Sequence, residues 1–296
     1  MINLTRFRKI YFLISALVLI PGIISLIFFG LKPSIDFTGG TLWEVGIATS
    51  DKRQATSKEI EGVFAEQGLA VASIQPSGEN QFIIRAVPLS TEQHELLVVA
   101  LRNKIGEFEE IRFETLGPTL GRELLSKALL AVALAALAIL SYVAYRFKNL
   151  MYGVTAILAM FHDTFVLLGT FSLLGHFWGV EVGTLFVTAV LATLSFSVHD
   201  TIVVFDRIRE ILRRNPSFGL ETAVNQAVGE TLVRSINNSL TIIFMLLALL
   251  LMGGGSLRWF IFALLVGTIS GTYSSTFTAA PLLVVWWRLT RRRVQP

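Results

Sequence analysis

The sequence predicts a polytopic α-helical membrane protein with six spans and one small α+β domain outside the bilayer. Three observations carry that reading. Hydrophobic residues make up 53% of the 296 and charged residues only 16%, whereas soluble domains carry about 25% charged residues. Six apolar stretches approach or exceed the ~20 residues that cross ~30 Å of hydrocarbon. Only one long polar segment, residues 31–123, interrupts them.

The spans run from about Tyr11 to Phe29, Leu124 to Tyr145, Met151 to Gly175, Val182 to Phe205, Ile236 to Met252 and Trp259 to Trp287. Arg6, Arg8 and Lys9 precede the first, which is too long for a signal-peptide core and lacks a small-residue cleavage site, so it is expected to remain as an anchor. Basic residues cluster in alternate connections. Arg146 and Lys148 lie between spans two and three, Arg207, Arg209, Arg213, Arg214 and Arg234 between four and five, and Arg288, Arg291, Arg292 and Arg293 after six. Residues 176–181 contain no Lys or Arg, and after the GGGS turn only Arg258 follows. The positive-inside rule then makes both termini cytoplasmic. Trp178, Trp259, Trp286 and Trp287 fall at span ends, where an aromatic belt belongs. The chain thus divides into residues 1–30 (terminus and first span), 31–123 (outer domain), 124–288 (the remaining spans with a cytoplasmic loop at 206–235) and a basic tail at 289–296.

Within 31–123, Thr41 to Ala48 reads as a strand, Thr56 to Gln67 as a helix, and Val71 to Gln75 and Gln81 to Val87 as strands. Thr91 to Ile105 reads as a second helix with Ser90 as its N-cap, and Phe108 to Leu116 as a closing strand. The order βαββαβ is the ferredoxin-like arrangement. Nine basic residues against fourteen acidic ones in this segment argue against a nucleic-acid surface and favour docking to a polypeptide or subunit. His94, its only histidine, is expected to be solvated on a helix surface.

The chemistry is expected inside the membrane. SFSVHDTIVVFDRIRE, residues 195–210, begins as apolar helix and ends charged. Asp200 lies on its membrane side, where a carboxylate costs at least ~2.5–3.5 kcal/mol on the insertion scale. Such residues are usually functional, and proton or ion movement is the first candidate. Ser197, Asp200 and Val204 share a helix face, with Ser195 and His199 on the adjacent one. His162 and Asp163 sit near the middle of span three, about 100° apart, so that one of them faces the bundle interior. Span five opens with Arg234, Asn237, Asn238 and Thr241 on one stripe, at a depth that lets it meet Asp200 if spans four and five are neighbours. In span six, Gly267, Gly271, Ser275 and Ala279 repeat every four residues, a close-approach surface for another helix. Ser270, Ser274 and Thr278 form a polar row beside it, for helix contact or a hydrated path. Asp206, Arg207, Arg209, Glu210, Arg213 and Arg214 read as a solvated helix, and Leu220, Ala223, Val224, Ala227 and Val228 as the apolar stripe of an elbow helix on the membrane surface. There is no cysteine, P-loop, nucleophile–base pair or metal cluster, so enzymatic catalysis is not expected.

These residues carry a resemblance. DFTGG, with Asp36, Phe37, Gly39 and Gly40, directly follows span one and resembles the signature that opens the outer domain of SecF proteins. The pair His162-Asp163, the block SFSVHDTIVVFDRIRE, TLVRSINNSLTI and GTISGTYSSTFTAA are similar to the remaining SecF blocks in order, although many relatives have Asn where His199 stands. The resemblance covers essentially the whole chain. It implies an RND-type bundle that pairs with SecD, a place beside the SecYEG translocon with YajC and YidC, and residence in the bacterial inner membrane. It further implies that the proton gradient, with no cofactor, drives preprotein movement. Asp200 would carry the proton and Arg234 couple to it, with Asp163, His199, Asn237 and Asn238 as further candidates. The alternatives are an RND-like proton-coupled exporter subunit for lipids or small molecules, which calls for a larger outer region, and a non-conducting scaffold, which has no use for a buried carboxylate.

Overall fold

The computed structural model of the protein describes residues 4–47, 56–76, 81–252 and 255–292. Ala48 and Arg293, named above, lie outside them. Contacts divide the chain into two units, residues 33–129 and the remainder.

The smaller unit opens with one helical turn, α2 (Ile35–Thr38), capped by the Ser34 hydroxyl, which accepts from the Asp36 N–H. Then follow β1 (Gly40–Ile47), α3 (Ser57–Glu66), β2 (Val71–Pro76), β3 (Gln81–Ala86), α4 (Thr91–Ile105) and β4 (Phe108–Leu116). The strands form one antiparallel sheet in the order β2-β3-β1-β4, the ferredoxin-like topology. Both long helices start with a reciprocal capping box, Thr56 with Glu59 and Ser90 with Gln93, satisfying two otherwise orphaned N–H groups each. Their buried residues Ile60, Val63, Phe64, Leu97 and Leu101 close on Trp43, Val45 and Ile84 of the sheet.

His94 departs from the solvated expectation. Its ring packs 3.8 Å from the Phe113 ring and edge-on to Trp43 at 4.9 Å, while Nε2 lies 2.7 Å from Glu110 Oε2. The helix face that carries Leu97 and Leu101 also lays His94 over β1 and β4. An aromatic floor then covers the ring as it would any flat side chain.

The DFTGG signature has a structural reason. Gly39 takes φ 74° and ψ 167°, a region open essentially to glycine alone. A Cβ there would stand 2.7 Å from Cα of Pro118, the first residue of α5 (Pro118–Arg146). Gly121, one turn on, would meet the Gly39 nitrogen at 2.9 Å. Phe37, between them, is buried. The glycines let the chain leaving α2 touch the backbone of α5.

Among the described residues six helices are long and apolar enough to cross a membrane. They are α1 (Arg8–Phe28), α5, α6 (Leu150–Trp178), α7 (Thr184–Arg214), α8 (Leu220–Met252) and a last span made of α9 (Gly255–Ser274), a π-helical segment (Ser275–Ala279) and α10 (Ala280–Arg292). The buried centre is α6, α7 and the last span, whereas α1, α5 and α8 leave most of their apolar surface open. α1 lies on α6 with backbone against backbone: a Cβ on Gly169 would stand 2.6 Å from Gly22 Cα. Ser25 and Ser172 hydrogen-bond beside that crossing at 2.8 Å.

The small-residue row of span six packs on α7. A Cβ on Gly267 would stand 2.1 Å from Thr193 Oγ1, and one on Gly271 3.5 Å from Ser197 Cα; Ser275 and Ala279 are fully buried. The elbow-helix expectation is corrected. Residues 220–252 form one unbroken helix, ~50 Å at 1.5 Å per residue. Leu220, Ala223, Val224, Ala227 and Val228 are buried in the bundle core with Phe205, Ile208 and Ile211 rather than spread on lipid. α7 extends beyond its apolar stretch to Arg214, and that extension supplies the surface they cover.

Candidate functional site

Most threonines of the bundle are satisfied within their own helix. Thr155, Thr164, Thr170, Thr193, Thr201 and Thr268 each donate to the carbonyl four residues back. Fewer groups reach across helices, and several of those gather on two aspartates.

Asp163 of α6 is fully buried. Ser270 donates to its Oδ1 at 2.6 Å and Ser274 to its Oδ2 at 2.5 Å. His162 Nδ1 stands 3.0 Å from Oδ1. Both members of the pair are thus inside and joined to each other. A 100° difference in Cβ direction separates their far neighbours but does not stop adjacent side chains from folding together. Among the described residues, Nε2 of His162 is buried with no hydrogen-bond partner, as is Oγ of Ser197 across on α7. The Ser270/Ser274/Thr278 row is occupied by side chains: its third member pairs with Ser15 of α1 at 3.2 Å. The π-segment begins directly after Ser274. Pro281 follows two residues after it and lacks the N–H that would bond the Phe277 carbonyl; π-turns of this kind concentrate at functional sites. That proline was the signal available beforehand.

Asp200 of α7 is 6% exposed. Its hydrogen-bond donor from α8 is Ser235, whose Oγ stands 3.3 Å from Oδ2. His199 Nδ1 lies 3.8 Å from Oδ1, with its side chain 75% exposed. The structure does not bring Arg234 to Asp200. Among the described residues Arg234 makes no ion pair, and Arg234, Asn237, Asn238 and Thr241 are all exposed. The inward row of α8 is Thr231, Ser235, Ser239 and Leu246, with Ser239 accepting from Thr272 of α9 at 2.6 Å. Close helix approach selects these short side chains and turns the long polar ones outward. The sequence put the start of span five at the depth of Asp200, conditional on spans four and five being neighbours, and missed Ser235, one residue along from Arg234.

Spans four and five are also pinned at their basic ends. Arg207 bonds Glu210 and Glu230, and Arg146 and Arg209 both reach Asp206. The charges of 206–214 therefore tie α5, α7 and α8 together as well as facing water. Arg288 pairs with Glu221, which also accepts from Thr5, so α10 and the segment before α1 meet at α8.

Comparison with known proteins places this arrangement. Residues 97–289 match the model of the protein export membrane protein SecD/SecF C-terminal region, and residues 24–47 match the SecD/SecF GG motif. The chain is 41% identical to the protein translocase subunit SecF of Thermobaculum terrenum, covering 97% of this chain and 94% of that one. The chain belongs to the SecF family. It is 39% identical to the SecF of Anaerolinea thermophila, with 97% and 96% covered, and 34% identical to the SecDF of Bacillus subtilis, of which it spans 38%. The crystal structure of SecDF, a translocon-associated membrane protein from Thermus thermophilus, matches with TM-score 0.82 at 30% identity, over 96% of this chain and 38% of that one. In those two SecDF relatives, a SecF-like part occupies little more than a third of a longer chain.

Proposed function

We propose that the chain acts as the SecF half of a protein translocase accessory, pairing with a SecD-type partner in the bacterial plasma membrane, termini inward, to assist preprotein movement at the expense of the proton gradient. One observation carries the reading. Asn237 and Asn238 of α8 and His199 of α7 are exposed within spans, with Arg234 exposed at the cytoplasmic end of span five, on either side of the Asp200–Ser235 contact. Polar side chains at that depth are not left facing hydrocarbon, so a second bundle with polar groups of its own completes this face. The SecDF relatives, with a SecF-like part inside a longer chain, are consistent with such a neighbour.

In this mechanism Asp200 carries the proton, and Arg234 meets the partner rather than Asp200 in the state seen here. Protonation removes the charge that Ser235 and the partner's groups hold, loosens the α7–α8 contact and lets the two bundles shift, with the outer domain riding on the movement. One charge crossing ~100 mV supplies ~2.3 kcal/mol, enough to bias a two-state equilibrium by roughly fiftyfold. The test is proton-gradient-dependent export in vesicles containing the chain with its SecD partner. Asp200→Asn is expected to abolish the gradient-dependent part while co-purification with SecD persists. Undiminished export in that variant would overturn the proposal.

A further inference from the structure

We propose that Asp163 is a second proton-exchanging carboxylate of the bundle, and that the Ser274 hydroxyl next to the π-segment reads its protonation state. This rests on the proton-driven reading above but concerns a different residue, helix and neighbour.

The geometry satisfies both states of the acid. Ionised, Asp163 accepts from Ser270, Ser274 and the Nδ1–H of His162, three donors on two oxygens. No Lys or Arg reaches it among the described residues. His162 does not supply a fixed positive charge either. Were it an imidazolium, its buried Nε2–H would be left without an acceptor, and an unsatisfied charged donor is the more costly state. The neutral ring donating through Nδ1 leaves only a bare lone pair there. Protonated, Asp163 donates from Oδ2 to Ser274 Oγ. The Ser274 hydrogen then needs a new acceptor, and one is in place: the Gly271 carbonyl, 3.3 Å from the same Oγ. The proton leaves no orphan in either state, as a site that loads and unloads requires.

The readout follows from where Ser274 stands. It is the last residue of α9, and the π-segment begins at Ser275. While Ser274 holds Asp163, α9 is tied to α6; when it bonds the carbonyl three residues back, the tie passes to the protonated acid and the local helix geometry changes. A segment with one extra residue in its turn can take up such a change. The other titratable groups around the site are Asp200 on α7, Tyr273 on α9, whose ring lies 6.4 Å from that of His162, and Tyr11 on α1, whose carbonyl accepts from the Tyr273 hydroxyl.

Difference infrared spectroscopy across a pH jump tests this on the full chain assembled with its SecD partner in lipid. The wild type is expected to show the carbonyl stretch of two protonated carboxyls beyond those of surface acids. Asp200→Asn should lose one and keep the other. Asp163→Asn should lose the complementary one, and Ser274→Ala should displace the band that survives in Asp200→Asn. Loss of both bands in Asp200→Asn, or an unmoved surviving band in Ser274→Ala with Asp200→Asn, would overturn the inference. Neither result needs Asp163→Asn to fold. A persisting Asp163 band beside unchanged export in Asp200→Asn would sink the proposed function and leave this one standing.

Discussion

Replacing Gly169 with alanine is the sharpest probe of how the bundle is held. The new Cβ would stand 2.6 Å from Gly22 Cα, 2.9 Å from its carbonyl carbon and 3.1 Å from its oxygen. Ordinary contact begins near 3.4 Å, so α1 must retreat by the difference, 3.4 − 2.6 = 0.8 Å. All three atoms are backbone and cannot rotate aside. Forced overpacking of this kind costs about 1–3 kcal/mol. The retreat also stretches the Ser25–Ser172 hydrogen bond from 2.8 Å, and such bonds between spans average ~0.6 kcal/mol. The expected loss is therefore about 2–3 kcal/mol. Thermal unfolding of the purified protein in one detergent, followed by tryptophan fluorescence, measures it against Gly229→Ala. Gly229 lies in helix α8 with nothing within 4 Å of its would-be Cβ, so helix propensity alone predicts a gain of up to ~1 kcal/mol there. Equal behaviour of the two variants would refute backbone contact between α1 and α6.

Gly267→Ala is expected to lose about 1–3 kcal/mol by the same overpacking, because its Cβ meets Thr193 Oγ1 at 2.1 Å and Thr193 Cβ and Cγ2 at 3.0 Å. Thr193→Ala in the same chain removes two of those three atoms, so unfolding of the double variant should show a favourable coupling of at least ~0.5 kcal/mol. Gly39→Ala combines an unfavourable positive φ with a 2.7 Å approach to Pro118. It should cost more than ~2 kcal/mol by these two effects together, read as protease sensitivity at the DFTGG segment. His94→Ala removes a ring held by Trp43, Phe113 and Glu110. A loss of about 1–2 kcal/mol is expected, since one aromatic contact alone is worth ~0.5–1.5 kcal/mol, and hydrogen exchange in β1 and β4 would report it. Arg234→Ala should leave the unfolding of the isolated chain within ~0.5 kcal/mol of wild type, as an exposed side chain without an ion pair does, while weakening capture by the SecD partner in a pull-down. Large destabilisation of the isolated chain would mean that Arg234 already has a partner within it.

Much of this protein follows from its sequence alone. The number of spans rests on hydrocarbon thickness, a length any apolar run must match, but not where each helix ends, since α7 runs on to Arg214 and α8 begins already at Leu220. The outer fold rests on strand and helix periods and on capping residues such as Ser90, and its helix Thr91–Ile105 and strand Phe108–Leu116 stand where the pattern puts them. The glycine row of span six is legible because only small side chains let helices touch, and Asp200 because a carboxylate in an apolar run stands out by composition. The tertiary structure alone decides who meets whom. Spacing states the angle between Arg234 and Ser235, but not how α8 is rotated about its axis; packing on α7 sets that rotation and gives Asp200 the serine. The same holds for Ser270 and Ser274, a row with no visible recipient until α9 is laid against α6 and Asp163 appears between them. His94 and the stripe from Leu220 to Val228 show the remaining gap. Each reads as surface in its own helix and is covered only when another element packs on it, the sheet for His94 and the end of α7 for the stripe.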